Sequence, residues 1–550
     1  MPSLAFLTRR GGLGSGSCRE GLLGFVDEYP DDIVYPLHTL DTTKTLKKLN
    51  VLWTYRFNDV LDADKLDASL TRLLEIGDWR KAGGRLRTRL HDGRLEIHTP
   101  RDYSAKRPAT TFTRSDETDC CIACHPVAST LPEQSDEAYA QRWNQDLTRL
   151  ALRRDIPTTL QGYTDRDVPM ISVHVVSFRD ATLVGVAWPH VLMDAAGQLE
   201  LMRAWSLVLA GREAEVAPVL GALTDPLWEA AGPEAGEKEP CLLEKARMTL
   251  LGVVRLVSRL VWTEVVEVPP EYGVIFLPRR SVYEIQARCI ADGLGLDVNS
   301  SDESVTTASQ ETKAYVGVND AVTAWLTQQV VLSQGTAAAA AASATTTRGQ
   351  KGQKRERQRH VTVVGALNAR YRLPSLLDAP GVHVQNMILA TFTFLSPGVA
   401  RGPLGGIAQA HRRCLREQAT QRQAQSYLWD RLRGHASARD LRPFFGDPGA
   451  LLIFINNLTK MDMYNVADFG PAVVEQTTQK RGGEVGGAVE AGDVRPGKVA
   501  FYNMRAYNTT DRAGRNFFTI YGRDHGGGCW IGVHLAPRTW ERVNKALEEL

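Results

Sequence analysis

The chain lacks any run of the roughly 18 uncharged apolar residues that a membrane-spanning helix requires. Its best candidate, Leu242–Val268, is broken by Lys245, Arg247, Arg255 and Arg259. That stretch reads as a basic amphipathic helix packed on its own domain rather than laid on a membrane. Charge of one sign is also lacking. With 65 Lys and Arg against 63 Asp and Glu, the net charge is +2, which supplies no general attraction for nucleic acid or anionic lipid. Cysteine is scarce, eight in 550 residues, so a disulfide framework like that of a small secreted domain is excluded. The first 24 residues contain Arg9, Arg10, Arg19 and one acid, Glu20, without the apolar core of a signal peptide. A mobile tail over residues 1–30 and a cytoplasmic location are expected. There is no Gly-x-Ser-x-Gly, hence no serine-hydrolase elbow. The glycines of Gly11–Gly16 follow no strand, so they are no dinucleotide fingerprint. Gly492–Val499 approaches a phosphate-binding loop, but Val499 stands where the Mg²⁺-binding Ser or Thr belongs.

What is present is an ordinary globular composition, 43% hydrophobic and 23% charged, on a chain long enough for two domains. Leu66, Leu70, Leu73 and Leu74 form a helical stripe, as do Leu201, Trp205, Val208 and Leu209, and Trp540, Val543, Leu547 and Leu550. Val361–Leu367, Asn386–Phe394, Leu451–Ile455 and Phe517–Tyr521 are short, apolar and rich in β-formers. Helices and strands interleave in both halves, which predicts an α/β architecture. Gly211–Pro240, rich in Ala, Gly, Pro and Glu, reads as part of a crossover. The expected division is a tail over 1–30, a first domain over 31–210, a crossover over 211–270 and a second domain over 271–550. Low-complexity stretches at about 335–360 and 481–497 are read as mobile surface inserts. The first ends in the basic run Lys351–Arg359, read as a solvated surface. Cys121-Ile122-Ala123-Cys124-His125 matches a haem-attachment pattern but lies in a polar stretch beside Cys120, and is read as a reduced cysteine cluster. No metal site is expected.

The pattern that carries chemistry is His190-Val191-Leu192-Met193-Asp194-Ala195-Ala196-Gly197. It follows two strand-like runs, Ile171–Phe178 and Thr182–Trp188, and precedes a helix-like run from about Gln198 to Ala210. A histidine at a strand end can be aimed into a cleft, and it titrates near neutrality, which suits a general base. Asp194 can fold back and fix the loop. A second His-x-x-x-Asp, His98 to Asp102, opens a polar, Pro-containing stretch and is read as surface.

Around His190 the sequence resembles the BAHD acyl-CoA-dependent acyltransferases, whose signature is His-x-x-x-Asp-Gly. Their second signature, Asp-Phe-Gly-Trp-Gly, is matched in reduced form by Asp468-Phe469-Gly470-Pro471-Ala472, 278 residues beyond His190 and in the family's order. Weaker similarities fall in sequence: Gly84-Arg85-Leu86, Asn319-Asp320-Ala321 with Trp325, Asn368-Ala369-Arg370-Tyr371-Arg372, Gln385-Asn386, Asn456-Asn457-Leu458, and Gly526-Gly527-Gly528 through Leu535. Ala195 departs from the family glycine, with Gly197 close behind. Pro471 and Ala472 replace Trp-Gly, and Leu458 replaces an aromatic. Relaxed motifs and long inserts look more like fungal than plant relatives.

The resemblance implies two chloramphenicol-acetyltransferase-like α/β domains, each a mixed sheet with flanking helices, and an active-site channel between them. It implies transfer from acyl-CoA, a co-substrate rather than a bound cofactor, to a hydroxyl or amine of a small molecule in secondary metabolism. His190 would be the base, without an acyl-enzyme. Asp194 would support it by pairing with Arg370, or failing that Arg372. Asn456 or Asn457 would donate to the oxyanion, and Asp468, Phe469 and Gly470 would shape a loop remote from the chemistry. A monomer would suffice. Two other readings stay open: a condensation-type domain using carrier-bound acyl groups, though Pro189 precedes His190 where those show a second histidine, and a non-catalytic binding protein of the same fold.

Overall fold

A computed structural model describes residues 29–231, 239–297, 316–342, 359–432, 445–475, 495–508 and 514–550. Two mixed β-sheets carry the architecture. The first runs, edge to edge, through Val499–Ala506, Asn50–Phe57, Thr182–Pro189, Ser172–Phe178 and Thr111–Glu117. Its neighbours are antiparallel until the last pair, which is parallel. The second runs through Ile388–Leu395, Val361–Asn368, Leu451–Asn457, Phe517–Arg523, Cys529–Leu535, Glu271–Leu277 and Tyr139–Arg142. Each sheet therefore takes one strand from the opposite half of the chain.

Where they approach, a polar clasp joins them. The Tyr272 and Tyr521 hydroxyls both donate to Asn503 Oδ1, at 2.5 and 2.8 Å. Tyr502 donates to the Tyr521 carbonyl at 2.7 Å. Burial drives the Tyr272 and Tyr521 phenols up, so they stay protonated and able to donate.

The apolar runs form the expected elements because each has somewhere to be buried. Leu66, Leu70 and Leu73 line the inner face of the helix Ala63–Leu73, with Leu74 just beyond it, all four at 0% exposure. Every residue of Thr182–Pro189 is buried, which is what a central strand covered on both faces demands. The last helix, Pro537–Leu547, buries Trp540, Val543 and Leu547 against the second sheet.

Five expectations are corrected. The helix after Asp194 begins at Ala195, not near Gln198, because Asp194 caps it. His98 is not at the surface. It lies on Leu95–Thr99, the middle strand of a small three-stranded sheet, with its side chain 14% exposed beside Glu96. Cys121 and Cys124 are joined in a disulfide, since the single turn Ile122–Cys124 brings their Cα atoms to 5.1 Å, within bridging range. The alanine run from 335 to 342 continues the helix Val318–Ala342 rather than opening a loop, as alanine's helix preference favours.

Contrary to the fifth expectation, Leu250–Val266 is helical but does not turn its apolar face inward. Only Leu256 is buried, and Arg259 ties the helix to the carbonyls of Gly449 and Ala450. Leu250, Leu251, Val254, Val261, Trp262, Val265 and Val266 are exposed. The basic run from Lys351 lies outside the described residues apart from Arg359, which donates to Gly449 O. Residues 1–28 and most of the stretch 481–497 also lie outside them.

The Asp468-Phe469-Gly470 loop is a packing device. Phe469, fully buried, stacks on Phe57 with ring centroids 5.2 Å apart and meets Trp205 edge-on at 4.8 Å. Its amide donates to Gly497 O at 2.8 Å. Gly497 has φ of +76°, and a Cβ there would stand 2.1 Å from Gly470 N, so only glycine fits. Asp468 pairs with Lys498 at 2.9 Å. The loop thus anchors the strand Val499–Ala506 to the first sheet. Replacing Phe469 by Ala empties this aromatic slot and should destabilise the protein by about 3–5 kcal/mol, measured by denaturant unfolding. A cost below about 1 kcal/mol would show that the slot collapses without penalty.

Candidate active site

The strand Thr182–Pro189 ends at His190, whose amide donates to Leu49 O at 2.8 Å. Val191, Leu192 and Met193, each no more than 2% exposed, plug the turn into the core. The Trp188 indole donates to Met193 O at 3.1 Å, closing the turn. His190 alone in this turn keeps partial solvent access. The buried turn therefore holds His190 as its one half-buried residue.

Asp194 then starts the helix Ala195–Leu209. One carboxylate oxygen accepts the Ala196 and Gly197 amides, at 3.1 and 3.0 Å, as an N-cap. The other accepts Arg370 Nη1 and the Met387 amide, both at 2.9 Å. Asp194 is 1% exposed, so its charge is matched by four donors rather than by water.

Arg370 follows the strand Val361–Asn368 and is itself spent. It also donates to His383 O at 2.8 Å, to Gln385 O, and to Asn368 Oδ1 at 3.2 Å. Gly197 lets these parts meet, because a Cβ there would lie 2.1 Å from Val384 O. Arg372 caps the same short turn, half-buried, and takes no part in the hydrogen bonds described for Asp194.

The segment just before the strand Ile388–Leu395 supplies a residue to which the sequence reading gave no role. Asn386 Oδ1 lies 3.0 Å from His190 Nδ1, and its Nδ2 donates to His190 O at 2.9 Å. An amide donating through nitrogen must accept through oxygen, so His190 carries its proton on Nδ1. The Nε2 lone pair is then free to take a proton. Burial lowers the imidazole pKa below its ordinary value, while its own backbone, Asp194, Asn386 and Asp41 pull it partly back. The lowered pKa favours the uncharged form of the ring. Its only sequence trace was the pair Gln385-Asn386.

Asn456 and Asn457 close the strand Leu451–Asn457 and are half-buried. Asn457 Oδ1 accepts the Thr459 amide at 3.0 Å. Neither is among the residues described as bonding to His190 or Asp194. Asp468, Phe469 and Gly470 sit in the packing loop described above. Among the described residues, no group of three or more His, Cys, Asp or Glu could hold a metal ion, and no helix is long and apolar enough to cross a membrane.

The arrangement predicts a clear stability result. Arg370→Met should leave the Asp194 carboxylate buried and underpaired, costing about 3–5 kcal/mol. Asp194→Asn in the Arg370→Met background should recover part of that loss, because the stranded charge is gone. Urea unfolding of both variants checks this, and additive losses would mean that the two groups are not coupled.

No family model matches the chain. Among curated proteins it is 32% identical over 524 residues to O-acetyltransferase PaAT-2 of Phomopsis amygdali, spanning 95% of this chain and 99% of that one. It is 30% identical over 521 residues to acetyltransferase pyiB of Pyricularia grisea, spanning 94% of each. Among solved structures, F. graminearum TRI101 complexed with coenzyme A and T-2 mycotoxin aligns with a TM-score of 0.55 at 13% identity, over 94% of this chain and 98% of that one, which is a likeness of fold. The two mixed sheets with flanking helices are the two-domain, chloramphenicol-acetyltransferase-like arrangement. With relatives of that identity along nearly its whole length, the chain belongs to the fungal BAHD-type acyltransferases.

Proposed function

We propose that this enzyme transfers an acyl group from acyl-CoA to a hydroxyl or amine of a small molecule in fungal secondary metabolism, with His190 as general base. The observation that carries the reading is the half-buried His190, with Nδ1 held 3.0 Å from Asn386 Oδ1 and Nε2 without a hydrogen bond among the described residues. The names of the curated relatives favour acetyl as the group transferred. Coenzyme A beside a small molecule in a protein of the same fold supports a thioester donor and a small-molecule acceptor.

In the proposed step the acceptor O–H or N–H gives its proton to His190 Nε2 as its heteroatom attacks the thioester carbonyl. The tetrahedral intermediate collapses, the carbon–sulfur bond breaks, and the proton passes from Nε2 to the departing thiolate. No acyl-enzyme forms. A positioned base of this kind is worth about 10²–10⁴ in rate, and holding both substrates together supplies more. Asn456 or Asn457 is the proposed donor to the oxyanion. Asp194 and Arg370 hold the base loop in place and do not exchange protons.

We assign residues 31–210 and 271–550 to the two acyltransferase units, with 211–270 as the crossover and one strand exchanged each way. One chain supplies His190, Asp194, Arg370 and Asn386, which supports a monomer as the working unit. A cytoplasmic setting is part of this reading: five cysteines among the described residues are free, and the one bridge, Cys121–Cys124, closes only a local turn.

The test is free-thiol release from acetyl-CoA and longer acyl-CoAs, offered with mixed alcohols and amines. Acceptor-dependent release that falls at least about 10²-fold in His190→Ala is the expected result. Release unchanged by that substitution would remove His190 as the base. Silence across the panel, with no binding of CoA, would mark a non-catalytic member of the fold.

The pH dependence has a definite sign. The base works only when neutral, and its pKa is lowered by burial. The acid limb of kcat/KM should therefore bend below the ordinary histidine value of about 6.5, with the rate falling as pH drops through the depressed pKa. A limb above that value would contradict a buried base.

A further inference from the structure

We infer that Asp41 is a positioning residue for His190, acting through the side-chain amide of Asn386. The inference rests on the acyl-transfer reading for its consequence in catalysis, but its geometry stands by itself. Asp41 is 0% exposed and lies in the loop after Ile33–Pro36, far from His190 in sequence. One of its carboxylate oxygens accepts both the backbone amide of Asn386, at 2.9 Å, and its side-chain Nδ2, at 2.8 Å. The other accepts the His38 amide at 2.9 Å. All three of these partners are N–H donors. It therefore sits there as an acceptor.

The consequence follows from counting lone pairs and protons. Asn386 Nδ2 has two acceptors, Asp41 Oδ1 and His190 O. Rotating that amide by half a turn would set Asn386 Oδ1 against a carboxylate oxygen and a carbonyl oxygen at once. Three oxygens would then share a buried space with no proton between them, a cost of several kcal/mol. The amide is thereby locked with its oxygen toward His190 Nδ1. Only the Nδ1–H tautomer satisfies that oxygen, so Nε2 is kept as the lone-pair nitrogen.

Without the carboxylate, only the His190 carbonyl opposes the turned amide, and Asn386 could then offer Nδ2 to His190 Nδ1. That would stabilise the tautomer whose Nε2 already carries a proton and cannot act as a base. A positioning carboxylate that fixes a tautomer is a known catalytic device. Here an amide stands between carboxylate and imidazole, so no charge touches the base directly.

Among the described residues, the charged groups acting on this relay are few. Asp194 and Asp41 are the charged groups facing His190. Lys81 and His38 face Asp41. Lys81 is buried and donates to Ala222 O at 3.2 Å, and His38 Nε2 lies 2.6 Å from Gly221 O. Burial pushes the Asp41 carboxyl up, and Lys81, His38 and Asn386 oppose it.

The experiment is nitrogen-15 NMR of the full chain labelled in histidine, with the His190 signals assigned by their loss in His190→Ala. Wild type should show a single Nδ1–H tautomer for His190 in neutral solution. Asp41→Asn should introduce the other tautomer and lower kcat about 10- to 100-fold, within the worth of a general base, with the KM for acyl-CoA unchanged. Asn386→Ala should lower kcat by a similar factor, and Asp41→Asn should add nothing in that background, because the two act in series.

A mixture of tautomers in the wild type would overturn the inference, and that measurement needs no variant to fold. So would a single tautomer retained in Asp41→Asn, or losses that multiply in the double variant. The tautomer is read without turnover. If no acceptor is ever acylated, the acyl-transfer reading fails while the hold of Asp41 on His190 is still judged by the spectrum.

Discussion

The carboxylate of Asp194 is the constraint on which the site depends. It is removed from water, so its charge must be met by groups already in place. Two of its partners are the first amides of its own helix, and two come from the far half of the chain, on Arg370 and Met387. The same four bonds therefore set the helix start, fix the turn that carries His190, and dock the second half against the first. Because Met387 is joined to Asn386, the docking that satisfies Asp194 also delivers the amide that orients the imidazole. Support of the imidazole and assembly of the two halves are one event.

The elements were legible where burial and periodicity agree. The leucine stripe of Ala63–Leu73 and the unbroken apolar strand Thr182–Pro189 could be read directly because each has a single way to hide its surface. The helix start at Ala195 was not, since it is set by a cap and not by apolar spacing. For Leu250–Val266 the sequence revealed an apolar face but not the direction in which it points. Orientation is a tertiary property, fixed here by Arg259 reaching the carbonyls at Gly449 and Ala450.

The site was legible in the same uneven way. His190 and Asp194 are four positions apart and announce themselves, and the segment of Arg370 was found through resemblance. Asn386 was visible only as half of a dipeptide with no role attached. Asp41 had no signal, because a lone aspartate after a short strand looks like any turn residue. What singles it out is three donors converging on it in a place without solvent. Such convergence exists only after the chain has folded. The pair Cys121 and Cys124 shows the converse: composition argued for thiols, and one tight turn brought them into bonding range.

The exchange of strands between the sheets has a consequence for how the chain is made. The first sheet is hydrogen-bonded along Asn50–Phe57 by Val499–Ala506, a strand that is synthesised more than four hundred residues later. Until then that flank of the sheet is an open edge, with unpaired amides and carbonyls and the buried faces of Trp53 and Tyr55 without Tyr502 to cover them. Contacts of such long sequence separation close slowly. The nascent first half must therefore wait, incomplete and adhesive, for nearly the whole polypeptide. Fragments cut between the halves would each carry an orphan strand, and heterologous production would be limited by the lifetime of that edge rather than by the stability of the finished enzyme.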